Sequence, residues 1–158
     1  MNKFISISLL STTFATSAFA AGHAGNVGIN VSLDNTLGVQ GEFNLEKSIS
    51  LQAFLKNHSS YYYGNNFGNY SYTAFGVAGL YDFSKEIGFT NHKVHPYAGL
   101  GLYAINAALS GPGGVSPSPV NGGLYLTFGA RYEFSPEFDF DGNYNNIGGL
   151  TIGANFKF

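Results

Sequence analysis

His58 and Ser60, in Asn57-His58-Ser59-Ser60, are residue types that could perform nucleophilic catalysis. A base two residues from a hydroxyl suits acyl transfer, provided an acidic group orients the imidazole. No Asp or Glu occurs between Lys47 and Leu80, so the third role has no nearby candidate and no catalytic residues are expected. His92, Lys93 and His95, with His23 far upstream, raise metal binding. Two neighbouring imidazoles without a third ligand read better as a solvated turn, so neither a metal nor a cofactor is expected. Glu42, Lys56, Arg131 and Glu133 form a third set, in which carboxylates and cations could pair or work together. What they do depends on the elements that carry them and the faces on which they lie.

Those elements follow an exported leader. Lys3 precedes an apolar stretch from Phe4 to Phe14, and Ala18-Phe19-Ala20 supplies the small residues of a cleavage site. Residues 1–20 therefore read as a signal peptide cleaved after Ala20, with Ala18 and Ala20 as its recognition residues. The apolar stretch is shorter than the ~20 residues of a spanning helix. Residues 21–158 remain as one domain.

Beyond the leader the dominant period is two. Leu150, Ile152, Ala154, Phe156 and Phe158 alternate with Gly149, Thr151, Gly153, Asn155 and Lys157. The same alternation places Val27, Val39, Leu51 and Phe128 opposite Gly28, Gln40, Gln52 and Gly129. Such alternation marks strands with two unlike faces. Eight strands are expected, near 25–33, 36–45, 48–57, 70–83, 94–106, 122–134, 137–144 and 147–158. Asp34-Asn35 and Asn145-Asn146 suit hairpins that need positive φ. Glu46-Lys47 and Ser135-Pro136 suit short turns. Two connections, 57–69 and 107–121, are long. The second contains Gly111-Pro112-Gly113-Gly114 and reads as a mobile loop.

Composition decides which face is inside. Only 10% of the residues are charged, where an ordinary soluble domain carries roughly 25%. Gly (22), Tyr (11) and Phe (15) are abundant, Cys and Trp are absent, and the net charge is -2. These figures exclude a disulfide scaffold, a thiolate metal site and a basic nucleic-acid binder. In a soluble sheet the polar face would meet water and be densely charged. Here it is mostly Gly, Ser, Thr, Asn, Gln and Tyr, with a few charges of both signs. That face fits the interior of a narrow closed barrel, and the apolar face then meets lipid. The fold class expected is all-β, an eight-stranded antiparallel up-and-down transmembrane β-barrel. Glu42, Lys56, Arg131 and Glu133 then become a lumenal ionic network with a structural role.

The even-numbered strands end in Phe43-Asn44-Leu45, Tyr81-Asp82-Phe83, Tyr132-Glu133-Phe134 and Phe156-Lys157-Phe158. With both termini on one side, these triplets share one membrane interface as an aromatic girdle. The long connections then lie outside the cell. Tyr61, Tyr62, Tyr63 and Phe67 fall in the first, among Asn, Ser and Gly, a composition suited to surface contact. An extended strand pair is the equal alternative for that segment.

On these residues the chain resembles the small eight-stranded outer-membrane barrels of Gram-negative bacteria. These are the OmpA/OmpX and opacity-protein type, and the likeness extends to families such as the YfaZ type. Tyr81-Asp82-Phe83 followed by Pro96-Tyr97-Ala98-Gly99-Leu100-Gly101 is similar to a recurring pattern of that superfamily. The terminal Phe156 and Phe158 resemble the signal read by the barrel-assembly machinery. The resemblance implies a bacterial outer-membrane location, with membrane lipid and the assembly machinery as partners. His58 and Ser60 resemble the His-x-Ser of outer-membrane lipid A deacylases, which also need the missing acid. The role expected is structural, or surface contact and adhesion to a host or surface ligand through extracellular loops. A narrow pore for small or hydrophobic solutes and a lipid-modifying enzyme are the rivals.

Overall fold

Strand pairing follows the period of two along nearly all of residues 25–62, 68–88, 91, 93–111, 114–117 and 120–158, the residues that the computed structural model describes. The strands are β1 (Gly25–Ser32), β2 (Thr36–Asn44), β3 (Ile49–Tyr62), β4 (Gly68–Asp82), β5 (Val94–Gly111), β6 (Gly114–Pro117), β7 (Asn121–Glu133), β8 (Phe138–Asn145) and β9 (Gly149–Lys157). Every pairing is antiparallel. β1 closes on β9 with Val27 opposite Phe156, and β4 pairs with β5. Eight strands thus form a closed ring, and β6 is a short appendage on β5. Closure gives the backbone donors and acceptors of the ring partners within the sheet, which a wall in hydrocarbon requires.

The faces are inverted relative to a water-soluble barrel. Ile29, Phe128 and Ile152 point outward and are 64%, 60% and 66% exposed. Thr36, Asn145, Thr151 and Asn155 are fully buried inside. The interior has two unlike halves. Phe54, Ala78, Leu80, Tyr97 and Tyr125 form an apolar and aromatic cluster on β3, β4, β5 and β7. Polar side chains of β1, β2, β8 and β9 line the other half. Glycines permit this filling. A methyl group at Gly76 would enter the Phe54 ring, so glycine at that position makes room for a lumenal aromatic.

Turn chemistry holds at the short connections. Asn35 has φ 64°, and the Asp34 carboxylate accepts the Thr36 amide at 3.1 Å. The Ser135 hydroxyl accepts the amides of Glu137 and Phe138. The β8–β9 turn departs from expectation, because its positive φ falls on Gly149 rather than on Asn145 or Asn146. Asn145 instead caps the turn, its side-chain oxygen accepting the amides of Ile147 and Gly148.

The strands flanking both long connections run further than the alternation indicates. β3 reaches Tyr62 and β4 starts at Gly68, while β5 continues to Gly111 and adds β6. Much of the segment expected as a mobile loop is therefore strand. Outside a bilayer both sheet faces can meet water, so the backbone ladder continues without alternation. Ser71 opposite Ser59 illustrates this.

Candidate functional site: a filled lumen and a projecting sheet

Inside the ring, the backbone positions bring some of the charged set together and separate the rest. Arg131 on β7 and Glu42 on β2 come from opposite walls, four strands apart in a ring of eight. Arg131 Nη1 donates to Glu42 Oε1 at 2.8 Å, and Nη2 lies 2.6 Å from Oε2 as an ionic contact. Ser50 Oγ adds a 2.5 Å hydrogen bond to Glu42 Oε1. Asp141 lies 3.8 Å from Arg131 Nε and accepts the Tyr97 hydroxyl at 2.8 Å. The guanidinium also sits 4.6 Å over the Tyr97 ring, which adds cation–π attraction. The result is a strut across the lumen.

Lys56 forms a second strut. Its ammonium on β3 donates to Asn145 Oδ1 on β8 at 2.9 Å, again between opposite walls. No carboxylate lies within ion-pair distance of it among the described residues. Below its head, Phe54 and Tyr125 approach to 4.4 Å between ring centroids. Glu133 is not in the Glu42–Arg131 cluster. It stands at the rim near the termini, 3.4 Å from Lys157 and 3.9 Å from His95 Nε2. His95 Nδ1 in turn meets Asp82 at 3.1 Å. Asp141, Tyr97 and Asn145, which complete these contacts, are not singled out as partners by the sequence, because parity gives a face and does not encode cross-lumen distance.

At the far end, away from both termini, His58 faces the lumen. Its Nδ1 shares a 3.2 Å hydrogen bond with Thr36 Oγ1 and lies 3.9 Å from Asp34 Oδ2. The acid missing from the surrounding sequence is thus supplied by the β1–β2 turn. His58 stacks on Tyr72 at 4.9 Å, and Tyr72 reaches Thr36, Asp34 and the Ile147 carbonyl. These contacts use the side of the ring that a catalytic dyad would need oriented, yet no hydrogen bond joins Ser60 to His58 among the described residues. His58 and Ser60 share the lumenal parity, so they do not face the hydrocarbon.

Beyond this level lies a second feature. β2 stops pairing with β3 at Thr36 opposite His58, and β7 stops pairing with β5 at Asn121 opposite Ile105. β3, β4, β5 and β6 continue past those points as a four-stranded sheet on one side of the mouth. Residues 59–62 and 114–117 lie on its two outer edges. Tyr61 and Tyr62 belong to β3, whereas Tyr63 and Phe67 lie outside the described residues, as do His23, His92, Ala18 and Ala20. No group of three or more His, Asp or Glu side chains among the described residues is arranged to hold a metal. At the opposite rim, Phe156 packs edge-on against Phe138 at 5.3 Å, and the Phe158 backbone exchanges two hydrogen bonds with Gly25.

Solved structures share this architecture. Neisserial surface protein A is 21% identical, with a TM-score of 0.62, over 86% of this chain and 95% of that one. The N-terminal β-barrel domain of Pseudomonas aeruginosa OprF is 17% identical, with a TM-score of 0.58, over 86% and 98%. Ail, the attachment invasion locus protein of Yersinia pestis, is 14% identical, with a TM-score of 0.54, over 85% and 95%. At these identities the likeness is one of fold. No curated protein matches the sequence significantly. The family model described as outer membrane protein beta-barrel domain matches residues 6–158, nearly the whole sequence. With its lipid-facing apolar wall and closed antiparallel ring, this chain belongs to the outer membrane protein beta-barrel domain family and is a protein of the bacterial outer membrane.

Proposed function

We propose that this barrel is a non-conducting, non-catalytic surface-contact protein whose working element is the sheet formed by β3, β4, β5 and β6 beyond the membrane. The observation that carries the reading is the one-sided continuation of these strands past the ends of β2 and β7. A barrel built only to span would gain little from it. Open edges at 59–62 and 114–117 offer backbone donors and acceptors to an extended segment of another protein. Tyr61 and Tyr62 of β3 supply aromatic residue types at the same end, and Tyr63 and Phe67 follow them in the sequence. Ail carries attachment and invasion in its name; the present reading rests on the projecting sheet.

Both rivals are disfavoured by geometry. The Glu42–Arg131 and Lys56–Asn145 struts and the Phe54–Tyr125 contact occupy the path that a pore would need. A lipid-modifying centre would need His58 and Ser60 on the wall that meets acyl chains, and their parity is lumenal. In this reading Phe156 and Phe158, at the rim of the last strand, serve the barrel-assembly machinery, and the leader is removed after Ala20. Deleting residues 59–67 joins His58 to Gly68 and leaves the membrane ring intact. The shortened protein should retain its heat-dependent shift on detergent gels and lose adhesion of expressing cells to host cells or matrix. Undiminished adhesion of a correctly folded deletion would overturn the proposal.

A further inference from the structure

The outer wall of a barrel is convex, and a convex wall does not ordinarily hold cavities. On one side of this barrel there is a recess of about 500 Å³ in the outward face of β1 through β5. Its shape follows from registry. Gly41 lies opposite Val27 on one side and Ala53 on the other, and Ala53 lies opposite Val77. One level further along, Val39, Leu55 and Phe75 stand side by side. Small residues at Gly41 and Ala53 therefore form a floor, and larger ones form the walls. No atom lies within 4 Å of the position that a Gly41 side chain would take.

We propose that this recess is a binding site for one acyl chain of a membrane lipid, held in preference to the chains around the rest of the wall. The lining is apolar. Gln40 and Tyr103 border it, but both belong to the lumenal face, and the Gln40 amide is engaged with Asn155 and Asn30. With no polar group to receive a headgroup, the site selects hydrocarbon. Bulk lipid is as apolar as the wall, so the preference cannot come from removal of water. It comes from dispersion: a chain lying in the recess touches the protein on more than one side, and an unfilled recess forfeits those contacts. A second copy of the barrel is a poorer occupant. A two-fold dimer would set recess against recess and enclose a void.

Photo-crosslinking tests the site. The full chain is folded into phosphatidylcholine vesicles that contain a fraction of lipid with a diazirine in the acyl chain, and labelled peptides are mapped. Label should be several-fold denser on residues 39–55 and 75–77 than on the outward residues of β7–β9. Ala53→Phe should reduce it to the level of the opposite wall. Gly41→Leu is the second filling variant, should Ala53→Phe fail to show the gel shift of a folded barrel. Gly142→Leu, at an outward glycine of β8 that also faces open space, should leave the labelling unchanged. Even labelling around the barrel, unchanged labelling in both folded filling variants, or labelling of residues 39–55 and 75–77 below that of the rest of the wall, as a second copy seated there would leave it, would overturn the proposal.

Discussion

At the scale of the residue, charge pairs of similar appearance differ in worth according to where they lie. Glu42 is buried inside the barrel, and Arg131 is the one cation in contact with it among the described residues. Removing one partner leaves the other buried and uncompensated, which costs about 3–5 kcal/mol. Arg131→Ala should therefore destabilise the folded barrel by roughly 3 kcal/mol, read as a lower midpoint in urea unfolding from vesicles. Glu133 pairs with Lys157 at the rim, where both side chains reach water. Glu133→Ala should cost less than about 1 kcal/mol in the same assay. An equal loss in the two variants would show that burial does not govern these pairs. Both residues were legible in sequence as lumenal charges. Which of them would be paired across the barrel was not, because parity gives a face and not a depth or a partner.

At the scale of the element, turn and strand signals differ in how far they reach. Asn35 occupies the left-handed region, and its neighbour Asp34 holds the Thr36 amide. A β-branched residue is strained there, so Asn35→Val should destabilise by about 1–2 kcal/mol, while Asn35→Gly should be close to neutral. Thermal unfolding of the two variants checks the order. This turn was readable because its requirement is local. Asn145 shows the limit: its residue type indicated a turn, but its side chain became a cap and Lys56 found it across the lumen. The full length of β3, β4 and β5 was not readable either. Alternation reports two unlike environments, and the signal fades where both faces can meet water, although antiparallel pairing persists from Ile49–Tyr81 to Tyr62–Gly68.

At the scale of the whole molecule, the two cross-lumen struts and the aromatic contact beside them act as one plug. The wild-type barrel in a planar bilayer should show no stepwise conductance. Arg131→Ser combined with Lys56→Ser removes both long cations and shortens both struts. Small conductance steps are expected from this double variant, provided that it folds. A conducting wild type would contradict the plug, and a silent, folded double variant would assign closure to Phe54 and Tyr125 instead. The projecting sheet is a property of the same scale. It exists because two neighbouring hairpins are long and their neighbours on the ring are short.

By itself, the sequence determined the class of solvent on each face. A period of two, an outward set without charges and a glycine-rich inner set place strands in a lipid-facing closed ring, because a charge in hydrocarbon and a bulky side chain in a narrow lumen are both costly. These are one-body constraints, written at each position. Tertiary structure alone decided the pairings between distant positions: Glu42 with Arg131, Lys56 with Asn145, and Asp34 beside His58. It also decided the recess at Gly41 and Ala53, which arises from side-by-side registry on neighbouring strands. Such features depend on the separation and stagger of strands around a ring, and alternation along one strand carries no record of either.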